Sequence, residues 1–306
     1  PVLEIHLAPF TLKETESFFE DRDIHLSRYD IAQAYMAVGG IPYYLGYFEP
    51  GLSLAQNVDE LFFARGAKLQ GEYDRLFASV FSKPELMESL IACIGSRRMG
   101  YTRSEIVSTT GIKDGGTLSA SLNALVVSDF VVKYVPFGKG MHEHYKLVDP
   151  FCQFALHFLS NGMPSDERFW QSGIAHQGIV SWRGLAFEEL CFNHVRQIKA
   201  ALGISGVRTS HSAWAKRSKD EGGAQVDLIV QRGDGVTNLC EAKYVSDEFT
   251  VSGAYYREML GKQEKLSKSL SPKMVVHNTL ITTFGLAHNE YSGVFQSVVT
   301  LDDLFA

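Results

Sequence analysis

Ala224-Gln-Val-Asp-Leu-Ile-Val230 and Leu239-Cys-Glu-Ala-Lys-Tyr244, with Gly233-Asp234-Gly235 between them, decide the reading of this chain. Aliphatic and β-branched residues dominate both stretches, and the glycines mark a tight turn, so the pair predicts a β-hairpin. Folded symmetrically about Asp234, the hairpin sets Asp227 opposite Glu241. Side chains alternate along a strand, so Glu241 and Lys243 share a face. Two carboxylates and a lysine therefore converge. Clustered carboxylates repel and lose water, so removing one is expected to relieve the metal-free fold, and a divalent cation would offset the repulsion. Magnesium takes oxygen ligands and commonly binds through one or two carboxylates plus phosphate oxygens, which makes Mg2+ or Mn2+ the expected ion.

Working outward, an amphipathic helix is predicted over about 182–200 and a strand over 207–212, then the hairpin. A helix follows over about 252–270, with strands near 279–284 and 296–301. The spacing Asp227, thirteen residues, then Glu241-Ala242-Lys243, in this α-β-β-β-α-β order, resembles the PD-(D/E)XK nuclease superfamily. The resemblance implies a metal-dependent nuclease with Asp227 and Glu241 as metal ligands, the Ala242 carbonyl as a further one, and Lys243 orienting the attacking water. Members often carry another acid on the preceding helix, and Gly184-Leu-Ala-Phe-Glu188-Glu189 offers Glu188 at the matching place. No proline precedes Asp227, a departure from the signature. Lys216, Arg217 and Lys219, in a Lys/Arg/Gly-rich loop before Asp227, and Lys262 and Gln263 on the following helix are candidate contacts to a nucleic-acid backbone. An isolated Glu-x-Lys is also a common salt-bridging pattern of an exposed strand.

Toward the N-terminus a short initial strand is expected, then helices. Thr11 with Glu14 forms a capping box. Tyr35-Met-Ala-Val-Gly39-Gly40-Ile-Pro42 ends one helix at a glycine pair and starts another at proline. Leu7-Ala-Pro-Phe-Thr-Leu-Lys-Glu14 followed by Tyr35 to Leu45 resembles the helical lid of a family of prokaryotic AAA-type ATPases. That family continues into a winged helix and a nuclease-like domain. The expected architecture is thus α+β and multidomain: a lid region over 1–80, a winged helix over 81–149, a linker helix over 150–165, and a restriction-endonuclease-like α/β domain over 166–306. ATP binding needs a Gly-x-x-x-x-Gly-Lys-Ser/Thr loop to hold the phosphates. The sequence contains none, so no ATP site is expected in this chain, and a P-loop ATPase domain would act upstream in cis or in trans.

Within 81–149, Pro84 opens a helix, Thr102 and Glu105 form a second capping box, and Leu118, Leu122 and Leu125 mark a third helix. Strands over 130–135 and 142–147 flank a wing at Phe137-Gly-Lys-Gly140. Read as a DNA reader, the third helix would present Thr117, Ser119, Ser121 and Asn123, while Arg97, Arg98, Arg103, Lys113 and Lys139 would meet phosphates. Read as a spacer, the same unit only joins its neighbours. His142 and His144 flank Glu143, a pattern open to metal ligation but more in keeping with a solvent-facing strand.

Charge argues against a constitutive nucleic-acid binder. The chain carries a formal charge of −6 over 306 residues. Residues 1–80 hold 6 basic and 12 acidic groups, 81–149 hold 8 and 7, and 150–306 hold 15 and 16. Contact with DNA would run through local patches or a metal ion. Cys93, Cys152, Cys191 and Cys240 are widely spaced in apolar surroundings and read as buried thiols of a reducing compartment. With no leader or membrane-length apolar run in the sequence, the expected location is cytoplasmic. Two functions stand: a Mg2+- or Mn2+-dependent nuclease, or a catalytically degenerate DNA- or protein-binding module regulating an ATPase.

Overall fold

Capping chemistry and glycine placement set the helices of the N-terminal part. The computed structural model describes residues 6–138, 141–160, 166–173, 175–216 and 224–306. Helix α1 (Leu12–Glu20) begins at the Thr11/Glu14 capping box. Helix α2 (Arg28–Val38) ends at Gly39, whose φ is +70°. A Cβ on Gly40 would lie 2.1 Å from the Phe10 carbonyl, so the glycine pair lets the incoming chain cross the end of α2. Short helices α3 (Pro42–Leu45) and α4 (Leu54–Val58) follow, then a π-helical turn at Asp59–Phe63 and α5 (Glu72–Val80). Residues 6–11 carry no strand; residues 1–5, where the expected initial strand would also fall, lie outside the described residues.

Next come α6 (Pro84–Gly95), β1 (Tyr101–Thr102), α7 (Arg103–Thr110), α8 (Gly116–Val127), β2 (Val131–Tyr134) and β3 (His144–Leu147). The strands form an antiparallel sheet in the order β1-β3-β2. Leu118, Leu122 and Leu125 bury one face of α8 against Leu90, Ile94 and Ile106. Thr117, Ser119 and Asn123 are exposed as expected, but Ser121 is buried. It sits next to Leu122 and three residues from Leu118, on the flank of the stripe that packs. Glu143 pairs with Lys133 at 2.9 Å across the β2–β3 connection.

The remainder contains α9 (Pro150–Phe158), α10 (Phe169–Ser172), α11 (Gln177–Asn193), α12 (Val195–Ala201), β4 (Thr209–Lys216), β5 (Ala224–Arg232), β6 (Val236–Lys243), α13 (Gly253–Ser267), β7 (Val275–Thr282) and β8 (Ser297–Thr300). The helix expected over 182–200 is two helices. His194 leaves helical geometry between them, and its Nδ1 lies 2.9 Å from the Leu190 carbonyl, drawing that oxygen into a side-chain bond. The five strands run in sequence order as one sheet, with β4-β5-β6 antiparallel and β6-β7-β8 parallel. The architecture is therefore mixed α+β.

The two sheet faces have different partners. Leu228, Val230 and Cys240 face a large core shared by α11, α9 and the N-terminal helices. Phe154, Trp170 and Trp182 lie at its centre. Complete burial of a side chain of the Phe class is worth roughly 1.5–3 kcal/mol. Ile229, Leu239 and Leu280 face the other way, against Met259 and Leu266 of α13. Residues 12–69 thus share one core with the five-stranded sheet. All four cysteines are free and buried, as expected. Among the described residues no helix is long and apolar enough to cross a membrane.

Candidate functional site

The hairpin forms with the predicted symmetry. Its register runs from Gln231 opposite Thr237 to Leu228 opposite Cys240, so one further step sets position 227 opposite Glu241. On the outer side of β5, pairing with β4 shifts between Ser212 and Trp214. Ser212 faces Ile229 and Trp214 faces Val226, so Asp227 and Leu228 together stand opposite the single residue Ala213. Such bulges bend a strand and re-aim side chains, and they recur beside functional sites. Val226 and Ile229 both join the α13-side core although three residues apart, the signature of the extra residue. The side chain of Asp227 lies outside the described residues.

Glu241 and Lys243 alternate with Cys240 and Ala242, which places them on the α13 face. There they line a cleft of about 640 Å³ together with Glu188, Lys262 and Arg98. The cleft lies where β5 begins and β6 ends, so it draws side chains from helices on both sides of the sheet. Glu241 is only 5% exposed. Its carboxylate accepts from Lys262 Nζ at 2.7 Å and from the Tyr255 hydroxyl at 3.3 Å. Lys243 Nζ stands 3.8 Å from Glu241 Oε2 and 5.1 Å from the centre of the Tyr255 ring. Lys262 also meets Glu258 at 3.2 Å. Burial pulls the Lys262 ammonium down, but Glu241 and Glu258 outweigh it and hold its pKa above the ordinary lysine value. Burial, with Glu241 close by, pushes the Tyr255 phenol well up, so it stays a donor. Glu188, on α11, is paired with Arg98.

Three of the four expected catalytic residues, Glu188, Glu241 and Lys243, thus share one cleft, and the hairpin register carries the backbone of the fourth to its edge. The expected backbone contacts scatter. Lys262 lies in the cleft but binds Glu241. Gln263 turns into the helix–sheet packing, donating to the Val276 carbonyl at 3.3 Å and accepting from Asn278 at 3.1 Å, so it does not present itself to a phosphate. Arg103 is held by Asp114 at 2.6 Å and, like Lys113, belongs to the three-stranded unit, away from the cleft lining. Lys216 closes β4, but its side chain, and Arg217 and Lys219 entirely, lie outside the described residues, as does Lys139.

Tyr255, Glu258 and Arg98 were not singled out for this cleft from sequence. Tyr255, Glu258 and Lys262 recur at helical spacing, which signals one face of α13. No such signal exists for Arg98, which arrives from another unit. Comparison with protein-family models, with curated proteins and with solved structures returned no match. Among the described residues, which do not include the Asp227 side chain, no group of three or more His, Cys, Asp or Glu side chains converges to hold a metal.

The donor set nevertheless suits a hard divalent ion. It consists of carboxylate oxygens, the preferred ligands of Mg2+ and Mn2+. Both carboxylates already carry a cation: Lys262 on Glu241 and Arg98 on Glu188.

Proposed function

We propose that this chain is a Mg2+- or Mn2+-dependent nuclease module that hydrolyses phosphodiester bonds in DNA, associated with an AAA-type ATPase. In this reading residues 1–80 are the helical lid, 81–149 a winged helix, 150–165 a linker, and 166–306 a PD-(D/E)XK nuclease-like domain. The observation that carries it is the meeting of Glu188, Glu241 and Lys243 in one cleft at the end of the hairpin whose register leads to position 227. Glu241 and Lys243 share a face because they alternate along β6, but Glu188 lies more than fifty residues earlier on α11, and the same signature names it.

Asp227, Glu241 and Glu188 would hold the ion. When bound it polarises the scissile phosphate and makes the attacking water more acidic. Lys243 sits beside Glu241, within reach of a water or phosphate oxygen at that carboxylate, and stabilises the charge that develops on attack. Tyr255 orients Glu241 by donating to it, and Lys262 neutralises Glu241 when the ion is absent. Phosphate oxygens enter through the cationic rim of the cleft, where Arg257 and Lys265 stand on α13. The ATPase function belongs to a P-loop domain in cis or in trans, since no phosphate-cradling loop exists in this sequence.

One observation favours the second reading, a catalytically degenerate regulatory module. The Lys262–Glu241 contact of 2.7 Å is a complete ion pair, and a permanent one would leave Glu241 no role as a ligand. Thermal unfolding with and without Mn2+ separates the two, because an ion that binds only the folded state raises its stability. The nuclease reading expects stabilisation by Mn2+, slow EDTA-sensitive cutting of DNA, and loss of both in Asp227→Ala and Glu241→Ala. Lys243→Ala should cut more slowly while keeping the Mn2+ response. Cutting that survives in both acid variants sinks the mechanism. The absence of both stabilisation by Mn2+ and cutting transfers the case to the regulatory module.

A further inference from the structure

Arg98 comes from the turn between α6 and β1, outside the five-stranded sheet and its helices, yet it lines the same cleft as Glu241 and Lys243. The turn that carries it is held at every step. The Arg97 carbonyl accepts from Gly100 N at 2.8 Å, the Arg98 carbonyl from Lys146 Nζ at 2.8 Å, and the Met99 carbonyl from the Tyr134 hydroxyl at 2.9 Å. Gly100 has φ +67°, and a Cβ there would lie 1.9 Å from the Tyr145 carbonyl, so only glycine lets the turn press against β3. Arg97 points elsewhere, binding Glu105 at 2.7 Å and stacking on Tyr101. Lys146, itself 6% exposed, also pairs with Glu189, the neighbour of Glu188 on α11. Adjacent acids on one helix thus receive two cations from the three-stranded unit. Lys146 joins the units through Glu189, and that joint delivers Arg98 to Glu188.

The two pairs differ in kind. Lys146 and Glu189 are both enclosed, with side-chain exposures of 7% and 14%, and their ends have nowhere else to go. Arg98 is 43% exposed and stands at the cleft opening, so its guanidinium can change partner without breaking the joint. Arginine keeps its charge at any working pH and matches a phosphate with two parallel N–H donors.

We propose that Arg98 is a phosphate-contacting residue supplied to the cleft by the neighbouring unit, that it occupies Glu188 in place of the divalent ion, and that it turns to the DNA phosphate when the ion takes Glu188. This rests on the nuclease reading above. The site is then composite: the sheet supplies the acids and Lys243, and residues 81–149 supply the arginine. It also self-guards, because ion binding must first displace a resident cation from Glu188.

The test compares the full-length wild type with Arg98→Met and Arg98→Lys in two measurements: calorimetric titration with Mn2+ alone, and the initial rate of cutting a DNA duplex at saturating Mn2+. Removing a competitor should tighten Mn2+ binding by about two- to fivefold in Arg98→Met, the upper range of a partly exposed ion pair. The cutting rate should fall at least about tenfold through the lost phosphate contact, with Arg98→Lys between the two. Opposite signs for binding and rate are the signature, since damage to a merely structural contact weakens both. Unchanged or weaker Mn2+ binding in a folded Arg98→Met, while the wild type binds and cuts, overturns the inference and leaves the nuclease reading standing. Mn2+ binding by Arg98→Met alone, with none by the wild type, supports the guard in its strongest form. No binding by either protein overturns both readings.

Discussion

Two buried carboxylates in this molecule are held in opposite ways. Asp59, 2% exposed, lies in the π-helical turn of the N-terminal part, and Glu241, 5% exposed, lies in the cleft. Asp59 accepts from the backbone N–H of Trp170 at 2.7 Å, the backbone N–H of Gln171 at 3.1 Å and the Gln171 side-chain amide at 2.9 Å. All three donors are uncharged and two are backbone amides fixed by the chain, so the carboxylate caps α10 and ties it to the N-terminal part. Glu241 is held by the ends of two lysines and a phenol beside an open cleft. A carboxylate bound by backbone amides has no partner to exchange. One bound by lysine ends can trade them for another cation at modest cost. Equal burial therefore reads as structure in the first case and, under the proposed function, as a site in the second.

The largest effect is expected at Asp59. Asp59→Ala leaves enclosed amide donors without an acceptor and removes a helix cap, which should cost about 2–4 kcal/mol of unfolding free energy. Urea unfolding measures it, and the loss should be the same with EDTA or Mn2+. A loss that Mn2+ repairs would mean that Asp59 communicates with the cleft, and the contrast between the two acids would fail.

Glu241 should behave differently. The sequence, read as an acidic cluster, leads to the expectation that removing a carboxylate relieves repulsion. Among the described residues the charged groups in contact with Glu241 are the cations Lys262 and Lys243, which argues for the opposite outcome. In Glu241→Ala the Lys262 ammonium, 15% exposed, keeps only Glu258 among the described residues. Metal-free stability should drop by about 1–3 kcal/mol, and adding Lys262→Met should recover part of it because the orphaned charge goes too. A metal-free Glu241→Ala protein that melts above the wild type would restore the repulsion picture and place Lys262 away from Glu241 in solution.

How much of this was legible in the sequence follows from the range of the forces involved. Capping boxes at Thr11 and Thr102, the glycine pair after α2 and the hairpin about Asp234 are local, written in residues a few positions apart, and they form as read. The meeting of Glu188 with Glu241 and Lys243 was legible only because a family-like spacing named all of them; no local rule brings α11 to the end of β6. Arg98 and the sharing of one core by residues 12–69 and the sheet were not legible, since both depend on how separate units dock. The helix break at His194 escaped notice because a histidine in an amphipathic run carries no stop signal until its ring finds the Leu190 carbonyl. Ser121 misled because helical spacing fixes the centre of a buried stripe better than its flanks.

The smallest effect sharpens the contrast most cheaply. Gly261 sits inside α13 and lines the cleft, with Arg257 and Lys265 one turn to either side. A Cβ added there meets nothing within 4 Å, so packing gives no reason for glycine. Glycine in a helix interior costs about 0.5–1 kcal/mol relative to alanine. Gly261→Ala should therefore raise the melting temperature slightly, by an amount indifferent to Mn2+. If the cleft takes a DNA strand, the bare backbone at Gly261 is where a phosphodiester chain can come closest to the helix between two cations. Binding of a short duplex, followed by fluorescence anisotropy, should then weaken about two- to fivefold in the very variant that is more stable, and more so in Gly261→Leu, because added bulk there meets the ligand and not the protein. Duplex affinity unchanged in both variants, alongside the gain in melting temperature, would show that no strand runs over this face of α13, and the cationic pair at Arg257 and Lys265 would then be a solvated helix surface no more functional than the cap at Asp59.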